Sequence, residues 1–569
     1  MDRIALRSAA LASTGSLLGL SAGALGAALV ATPAGATVYT VTNLNDGGAG
    51  SLRQAITDAN ANAGLDTITF AGNVTGTIEL ALSLPDITEG LTIAGPGSDV
   101  LAVSGGGLYH AFTLETNFTG GVIISGLTIT ESMGILNASG DIVGGAIAAF
   151  NTGVVLDDVH LVENHADSNS VDTAGGGLYV KNQLGSGDVI ISNSILTRNS
   201  ALSTVQGDLG NGGGAVIEAD NIEITDTVIR DNDADFGGGL YAAAVAGAMD
   251  VERVSVLNNF STFYGGGLLI GGHNVNVADS IVTGNVSGNA MGGAYIGASA
   301  NGQSLATLTV TNTNISNNSA AELGGALIFN IDPNGVANID RTTVAGNVGE
   351  ILGGLSVMGS SNVTSSTIAN NTGAGLHFGN LFGPVSIGPA SSVQPAVPAP
   401  QTNTARVSNS TISGNSREGI AVNIDYGMIS SATFPSALAP SSQSVAPLTP
   451  PVTAVDLGLV HVLAADNGME DVAAPAISLF SLIERPNAGV LAGYGTQVGV
   501  DPQLQPLQQV SPTVAVVPIL PGTPAWDGGY PDFTPPPSTD QRGLPRVVQI
   551  IDIGAYEVQE YFARPRFTG

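Results

Sequence analysis

The apolar residues in the middle of the chain repeat in step with an asparagine. The residues three and eight positions before this asparagine are isoleucine, leucine or valine in every copy, and the residue ten before is mostly apolar. The spacing from ten to eight is the two-residue period of a β-strand that buries alternate side chains. The pattern therefore predicts short strands in each copy. The asparagines are Asn164, Asn199, Asn232, Asn259, Asn285, Asn318, Asn347, Asn371 and Asn415.

A pair of glycines recurs in the same rhythm, with apolar residues at alternate positions after it. Gly145 and Gly354 are 209 residues and seven steps apart, a mean period of about 30. Since a short strand cannot bury its apolar edge alone, we expect the copies to stack into one continuous core. This predicts an all-β fold, a parallel β-helix (solenoid) with about one coil per repeat. The pairs end at Gly145, Gly177, Gly214, Gly239, Gly267, Gly293, Gly325 and Gly354.

Both recurrent residue types have structural interpretations. Glycine suits corners that need a positive φ or close backbone packing. Asparagine suits left-handed turns, and stacked amides can hydrogen-bond from coil to coil. We therefore interpret the two columns as structural elements and not as ligand sites.

Residues 1–36 have the pattern of a secretory signal peptide. Arg3 and Arg7 precede a run of small apolar residues, and Ala34-Gly35-Ala36 provides a cleavage site. We expect cleavage after Ala36 and export of the chain. An uncleaved signal anchor is the alternative, because the apolar run over 9–31 is nearly long enough to span a bilayer. No later stretch is apolar enough to predict a transmembrane segment.

The ends of the repeat region differ from its middle. Residues 37–66 are predicted to form an N-terminal cap with a short helix within Ser51–Ala63, where Ser51 is the N-cap. The β-helix is predicted over 67–508, with Pro-rich loop insertions near 383–403 and 430–451. Residues 509–569 contain many prolines and predict an irregular C-terminal cap and tail. The buried stripe of the helix is predicted to be Leu52, Ala55, Ile56 and Ala59.

Composition narrows the classes of function. The chain has 46 acidic and 15 basic residues, a net charge of −31 and no cysteine. So large a negative charge argues against nucleic acid as a partner, because phosphate binding depends on Lys/Arg patches. The absence of cysteine removes disulfides, thiolate metal sites and cysteine nucleophiles. A hydrophobic content of 43% is too high for a disordered acidic polymer.

Several segments resemble known bacterial families. Ile315-Ser316-Asn317-Asn318 and Gly325-Ala326-Leu327-Ile328 resemble the right-handed parallel β-helix repeats of polymorphic outer-membrane-type proteins. The stretch 50–56, Gly-Ser-Leu-Arg-Gln-Ala-Ile, resembles the CSLREA-type N-terminal segment, with Gly50 in place of cysteine and Gln54 in place of glutamate. The stretches 540–543 (Asp-Gln-Arg-Gly) and 552–557 (Asp-Ile-Gly-Ala-Tyr-Glu) resemble the choice-of-anchor Q domain. The resemblance implies an exported or surface protein and supplies no catalytic residue.

A polar residue stands six positions before each asparagine, and it supplies the candidate catalytic residues. With a rise of about 4.8 Å per coil, Asp226 and Asp279 would lie about 9–10 Å apart, with Arg253 between them. This separation is close to that of the two carboxylates of an inverting glycoside hydrolase. The alternation of charge also fits a surface ion-pair ladder in which Arg253 neutralises both neighbours. We favour the ladder.

The turn at 231–237 contains a candidate calcium site. Asp231, Asp233 and Asp235 occupy positions one, three and five of the turn, and carboxylate oxygens are ligands that Ca²⁺ prefers. Ala242 stands where an EF-hand has its closing glutamate, so that motif is excluded. An exposed acidic turn without metal is the alternative interpretation. We expect no cofactor other than this calcium.

Tyrosines recur two positions after the glycine pairs, at Tyr179, Tyr241 and Tyr295. The strand alternation predicts that these side chains point outward, where exposed rings could stack against sugars. Aromatic packing between coils is the alternative.

Three functions remain open. The main hypothesis is a non-enzymatic, exported or cell-surface β-helix protein for adhesion, matrix or envelope interaction, with extracellular carbohydrate or envelope components as partners. The second is a secreted polysaccharide-active enzyme, a glycoside hydrolase or lyase, that uses outward carboxylates such as Asp226 and Asp279. The third is a calcium-stabilised structural surface component.

Overall fold

The computed structural model describes residues 35–115, 121–204, 209–245, 247–299, 305–330, 332, 334–379, 402–422, 454–533, 537–548 and 550–559. The predicted signal segment, except residues 35 and 36, and the loop insertions predicted at 383–403 and 430–451, except residues 402 and 403, lie outside the described residues. The chain divides into two compact units, Met1–His273 and Asn274–Gly569. As the repeat predicts, the fold is nearly all β, and its strands stack in parallel as coils of a β-helix.

The described residues of the first unit form helix α1, Leu52–Asn60, and 26 strands. The strands are β1 Val38–Val41, β2 Asp66–Phe70, β3 Gly76–Glu79, β4 Leu91–Ala94, β5 Leu101–Ser104, β6 Phe112–Leu114, β7 Val122–Thr130, β8 Ile135–Leu136, β9 Ile142–Val143, β10 Ile147–Phe150, β11 Val154–Val162, β12 Thr173–Ala174, β13 Leu178–Lys181, β14 Val189–Ser192, β15 Ile195–Thr197, β16 Ser200–Ala201, β17 Gly210–Asn211, β18 Ala215–Ala219, β19 Ile222–Thr225, β20 Val228–Arg230, β21 Asp233–Phe236, β22 Leu240–Ala244, β23 Ala248–Glu252, β24 Ser255–Leu257, β25 Phe260–Tyr264 and β26 Leu268–Gly272.

The second unit contains the remaining strands. They are β27 Asn274–Ala278, β28 Ile281–Thr283, β29 Val286–Ser287, β30 Ala294–Ala298, β31 Thr307–Thr311, β32 Asn314–Ser316, β33 Ser319–Ala320, β34 Ala326–Asn330, β35 Val336–Asp340, β36 Thr343–Ala345, β37 Val348–Met358, β38 Ser360–Thr364, β39 Thr367–Ala369, β40 Thr372–Phe378, β41 Thr402–Ser408, β42 Thr411–Ser413, β43 Ile420–Val422, β44 Ala454–Val460, β45 Leu463–Ala465, β46 Ala476–Leu479, β47 Leu482–Ile483, β48 Val490–Ala492, β49 Gln497–Val498, β50 Gln508–Ser511 and β51 Val514–Val516.

The strand register confirms the alignment of the repeats on the asparagine. In the first unit Ile191 of β14 pairs with Ile224 of β19, and Ile224 pairs with Val251 of β23. In the second unit Val310 pairs with Ile339, as the same column predicts. These side chains are at most 1% exposed. Residues that share a column in the sequence therefore stack directly in the core of each unit.

Helix α1 also matches its prediction. The hydroxyl of Ser51 accepts a hydrogen bond from the backbone N–H of Gln54 at 3.1 Å, which caps the first turn. The buried side chains of the helix are Leu52, Ala55, Ile56 and Ala59. None of the helices in the described residues is long and apolar enough to cross a membrane.

The asparagine column forms a buried ladder within each unit. In the first unit the Asn164 side chain donates to the Asn199 side-chain oxygen at 3.0 Å, and Asn199 donates to Asn232 in the same way. In the second unit the ladder extends through one residue beyond the predicted set, Asn467, whose amide donates to Asp471 at 2.8 Å. Each rung thus replaces water as the partner of a buried amide.

The left-handed corners fall beside these asparagines, and the prediction that the asparagines themselves make the turns is wrong. The residue immediately before has a positive φ, as in Arg198 (+53°) and Asp231 (+55°), and so does the residue six before, as in Asp226 (+50°) and Arg253 (+56°). The preceding residue makes the turn, so the asparagine side chain is free to point inward along the stack.

The glycine pairs are required by close packing between coils. A Cβ atom on Gly214 would lie 2.4 Å from the carbonyl oxygen of Gly239 in the next coil and 3.1 Å from the Asn232 amide nitrogen. Real Cβ atoms do not approach so closely, so the pair confirms the close-packing interpretation. In several copies the positive φ belongs to the residue before the pair, as in Gly212 (+62°), whereas in the first copy it belongs to Gly144 (+61°) within the pair.

The C-terminal segment packs along the flank of the second unit. The backbone N–H of Ala515 donates to Thr343 Oγ1 at 2.9 Å, Thr367 Oγ1 donates to Gln541 Oε1 at 2.5 Å, and the backbone N–H of Ala555 donates to Thr411 Oγ1 at 3.0 Å. The three threonines stand four positions before the ladder asparagines of successive coils. We call the described residues of 502–559 the strap, because they join several coils from outside.

Candidate functional site

The candidate carboxylate Asp226 belongs to an ion pair. Arg253 Nε and Nη2 donate to its two oxygens at 2.7 and 2.8 Å, and these hydrogen bonds lower the pKa of Asp226. Such a carboxylate is a poor general acid, because it stays ionised. For Asp226, the geometry matches the ladder interpretation.

The other candidate carboxylate, Asp279, lies in the second unit. It is exposed at a left-handed corner with φ +50°. Its Oδ1 accepts a hydrogen bond from the Asn312 side chain of the next coil at 2.5 Å. Aspartate and asparagine tolerate the left-handed region better than most residues, which explains their frequency in this column.

The three aspartates of the candidate calcium turn take different partners. Asp231 is exposed and contacts Arg230 at 3.4 Å. Asp235 is buried and accepts a hydrogen bond from the backbone N–H of Gly210 at 2.8 Å. Within the described parts of the chain, no group of three or more His, Asp or Glu side chains could hold a metal ion.

The third aspartate of that turn, Asp233, belongs to a polar cluster on three successive coils of the first unit. His165 pairs with Ser200, and Ser200 pairs with Asp233. Ser200 Oγ lies 2.7 Å from His165 Nδ1 and donates to Asp167 Oδ2 at 2.7 Å. His165 Nδ1 is 3.5 Å from the same carboxylate.

The pKa values of the two carboxyls of this cluster are shifted in opposite directions. Burial raises the pKa of Asp233 to about 6, assisted by the charges of Asp167 and Asp235, and its Oδ1 has no hydrogen-bond partner among the described residues. Burial also favours the neutral form of Asp167, but hydrogen bonds from His165 and Ser200 outweigh it and lower the pKa of Asp167. Carboxyls whose pKa values are driven apart are typical of acid–base pairs.

The tyrosine column is buried, so the prediction of exposed rings is wrong. Tyr179 is 6% exposed, Tyr241 0% and Tyr295 6%. The residues that lead into the glycine pairs pack against two of these tyrosines: a Cβ on Gly175 would lie 2.9 Å from the Cβ of Tyr179, and a Cβ on Gly237 would lie 3.0 Å from the Cβ of Tyr241. The rings of Tyr295 and Phe329, on adjacent strands, are 4.7 Å apart, which is aromatic packing between coils.

A depression that the sequence did not predict, lined by both polar and apolar side chains, lies on the second unit. It has a volume of about 290 Å³ and crosses the strands β35, β38, β41 and β44. Asn338, Asn362, Arg406 and Gly458 follow one another in register across these strands. The side chain of Asn362 donates to that of Asn338 at 2.9 Å. We call it the Arg406 depression; its lining is Asn338, Asn362, Thr364, Arg406, Val407, Ser408, Gly458 and Val460.

Arg406 differs from the other cations of the described residues. Its guanidinium forms no ion pair within 4.0 Å there, although it is exposed on a strongly acidic protein. A Cβ on Gly458 would lie 2.9 Å from Arg406 Nη1, so the glycine leaves room for the guanidinium. The cations that do form ion pairs are Arg53, Lys181, Arg198, Arg230, Arg253, Arg341, Arg417, Arg485, Arg542 and Arg546.

The depression continues into an apolar margin. Gly458 pairs with Ile477 and Val460 pairs with Leu479 on the next strand, β46. Ile477 is 55% exposed and Leu479 38%. The polar and apolar halves therefore form a continuous surface on one sheet face.

One sequence signal could have located this site. Arg406 stands nine positions before Asn415, and that position points outward because its neighbours, eight and ten before, are buried. An outward arginine beside outward asparagines in the same column marks a polar patch. Comparison of the chain with protein-family models, with curated proteins and with solved structures finds no match.

Proposed function

We propose that the chain is an exported or cell-surface β-helix protein that binds extracellular carbohydrate or cell-envelope components without catalysis. The observation that carries this proposal is the Arg406 depression, where amides, hydroxyls and one guanidinium face solvent on a stacked sheet. Amides and hydroxyls both donate and accept hydrogen bonds, as the hydroxyl groups of sugars require. Adhesion, matrix or envelope interaction would follow from such binding.

Two further observations support this proposal. The apolar run with its Ala-Gly-Ala site favours export, and the motif likenesses to polymorphic outer-membrane-type repeats, to CSLREA segments and to the choice-of-anchor Q domain favour a surface location. In the strap, Gln541 and Ala555 of the latter motif hold the coils through Thr367 and Thr411.

Binding to insoluble polysaccharides and envelope fractions tests the proposal. We expect the chain to sediment with at least one of them, and the double variant Asn338→Ala/Asn362→Ala to bind at least fivefold more weakly. Asn276→Ala is the matched control, because Asn276 occupies the same outward column of the second unit outside the depression. Equal loss in both variants, or binding to no fraction, would contradict the proposal.

A second candidate function, hydrolysis of a glycosidic bond, is favoured by the polar cluster of the first unit. With the pKa of Asp233 raised to about 6, this carboxyl could donate a proton to a leaving oxygen, while the ionised Asp167 assists from two coils away. His165 and Ser200 would hold Asp167 ionised. These carboxyls suit the chemistry better than Asp226, which Arg253 neutralises.

Release of reducing ends from a polysaccharide panel tests this second function. We expect Asp233→Asn to lower the rate at least 100-fold and Asp226→Asn to leave it within twofold. No hydrolysis by the wild-type protein, or an unaffected Asp233→Asn variant, would reject it.

A further inference from the structure

We propose that the Arg406 depression recognises an acidic saccharide, with the carboxylate of a single uronic acid unit on Arg406 and neutral sugar units on either side. This inference rests on the proposed carbohydrate binding and names its chemical class. It assigns charge recognition to Arg406, hydroxyl recognition to Asn338 and Asn362, and ring contact to the apolar margin at Ile477 and Leu479.

The charge of the site requires an anion. The guanidinium presents several N–H donors in one plane and matches a carboxylate with two parallel hydrogen bonds. Asp340, the nearest acid in the adjacent outward row, is already occupied by Arg341 at 3.5 Å and by the Thr364 hydroxyl at 2.7 Å. Asp456 pairs with Thr404 beside Arg406 in the sheet, but no ion pair joins it to Arg406 within 4.0 Å. Arg406 is therefore available to a ligand.

The surroundings restrict the ligand to one anionic group. Beside Arg406 the depression offers amides and hydroxyls and no second cation among the residues that line it. A protein with a net charge of −31 repels a densely charged polyanion at long range. An isolated carboxylate within a neutral, hydroxyl-rich chain avoids this repulsion and still gains the contact with the guanidinium.

The length and polarity of the surface suit a short oligosaccharide. Four strand steps separate Asn338 from Ile477 in the row Asn338, Asn362, Arg406, Gly458, Ile477. At about 4.8 Å per step the row is about 19 Å long, room for about four sugar rings. At its apolar end the exposed Tyr494 ring lies 5.4 Å from that of Phe480, which adjoins Leu479. The apolar faces of sugar rings pack well on such side chains.

Calorimetric titration with a tetrasaccharide that carries one glucuronate, and with its carboxyl-reduced neutral counterpart, tests the inference. We expect the wild-type protein to bind the acidic form at least tenfold more tightly, and Arg406→Gln to reduce that preference to less than twofold. Arg485→Gln, which removes a paired arginine of the same unit outside the depression, should keep the full preference. Arg406→Lys should give an intermediate preference, because an ammonium keeps the charge without the two-pronged geometry.

The outcomes separate this inference from the proposed function. Equal affinity of the wild-type protein for both tetrasaccharides would overturn the acidic class and leave carbohydrate binding standing. Binding of neither tetrasaccharide, with binding to an insoluble polysaccharide, would overturn the inference alone. Binding to no polysaccharide at all would overturn both. Circular dichroism of each variant shows whether a lost preference reflects lost folding, and in that case the Arg406→Lys result decides.

Discussion

The side-chain oxygen of Asn347 accepts two hydrogen bonds from Asn318, one from its backbone N–H at 2.9 Å and one from its side-chain amide at 3.0 Å. The Asn347 amide in turn donates to Asn371 Oδ1 at 3.0 Å and to the carbonyl of Ile315 at 3.0 Å. One side chain thus connects three coils. All these polar groups are buried, so no water replaces a lost partner.

Replacement of Asn347 by alanine should therefore destabilise the fold. The change removes the acceptor of the Asn318 backbone N–H, one of the two acceptors of the Asn318 side-chain amide and the side-chain donor to the Ile315 carbonyl. We expect a loss of about 2–4 kcal/mol in the free energy of unfolding. Urea unfolding followed by circular dichroism measures it. Asn338→Ala removes an exposed asparagine of the same unit and should cost less than about 0.5 kcal/mol; a comparable loss in both variants would contradict the buried ladder.

A Gly→Ala substitution should destabilise the fold much more within a glycine pair than at a glycine with open space around it. Gly214→Ala should lower the thermal midpoint by several degrees or prevent folding, because its Cβ would lie 2.4 Å from the Gly239 carbonyl oxygen. Gly47→Ala is the control, since a Cβ there meets no atom within 4 Å. Thermal unfolding of the two variants checks the comparison, and a Gly214→Ala protein as stable as wild type would refute the close stacking.

Asp226 should respond to side-chain shape more than to charge. With φ at +50°, Asp226→Asn fits the corner and should leave the urea midpoint nearly unchanged, because its ion pair is exposed. Asp226→Val places a β-branched residue in the left-handed region and should cost about 1–2 kcal/mol. If the asparagine variant were the less stable of the two, the ion pair and not the backbone would govern this position.

The sequence predicted how the coils stack, but it did not predict which segments pack over the outer faces of the strands. Columns of isoleucine, leucine and valine place their residues in register because only one alignment buries them all, as Ile191 and Ile224 show. Tyr179 was expected at the surface because strand alternation says which way a side chain points, but not which segment crosses over it. The Arg406 depression depends on the pairing of β41 with β44 across the insertion predicted at 430–451. Because the insertion separates these two strands by more residues than the repeat period of about 30, the period alone does not predict that they pair.

A buried glutamate of the strap should lower the free energy of unfolding above neutral pH. Burial raises the pKa of Glu557 to about 8, from an ordinary value of 4.5, and the charge of Asp552 acts in the same direction. The folded protein then holds a proton that the unfolded chain releases, so stability decreases as pH rises from about 4.5 through 8. We expect a lower urea midpoint at pH 9 than at pH 7.

Two observations make this pH test specific. Burial lowers the pKa of the neighbouring His461 to about 4. Its titration therefore raises the free energy of unfolding between about pH 4 and 6.5 and does not change it between pH 7 and 9. Glu557→Gln keeps the shape of the protonated side chain and should flatten the dependence in that interval. If this variant were as sensitive to pH as the wild-type protein, a group other than Glu557 would cause the pH dependence.

The asparagine ladder of the second unit ends at a residue of a different type, Asp471. In a row of identical amides, the last side chain has an N–H group that no other member of the row accepts. Asp471 instead accepts from the Asn467 amide at 2.8 Å and from the backbone N–H of Arg485 at 2.6 Å, so each of its two carboxyl oxygens acts as an acceptor. The substitution of one acid for one amide therefore ends the ladder inside the stack, and the coils that contain β47 and β49 pair beyond it without an asparagine of this column.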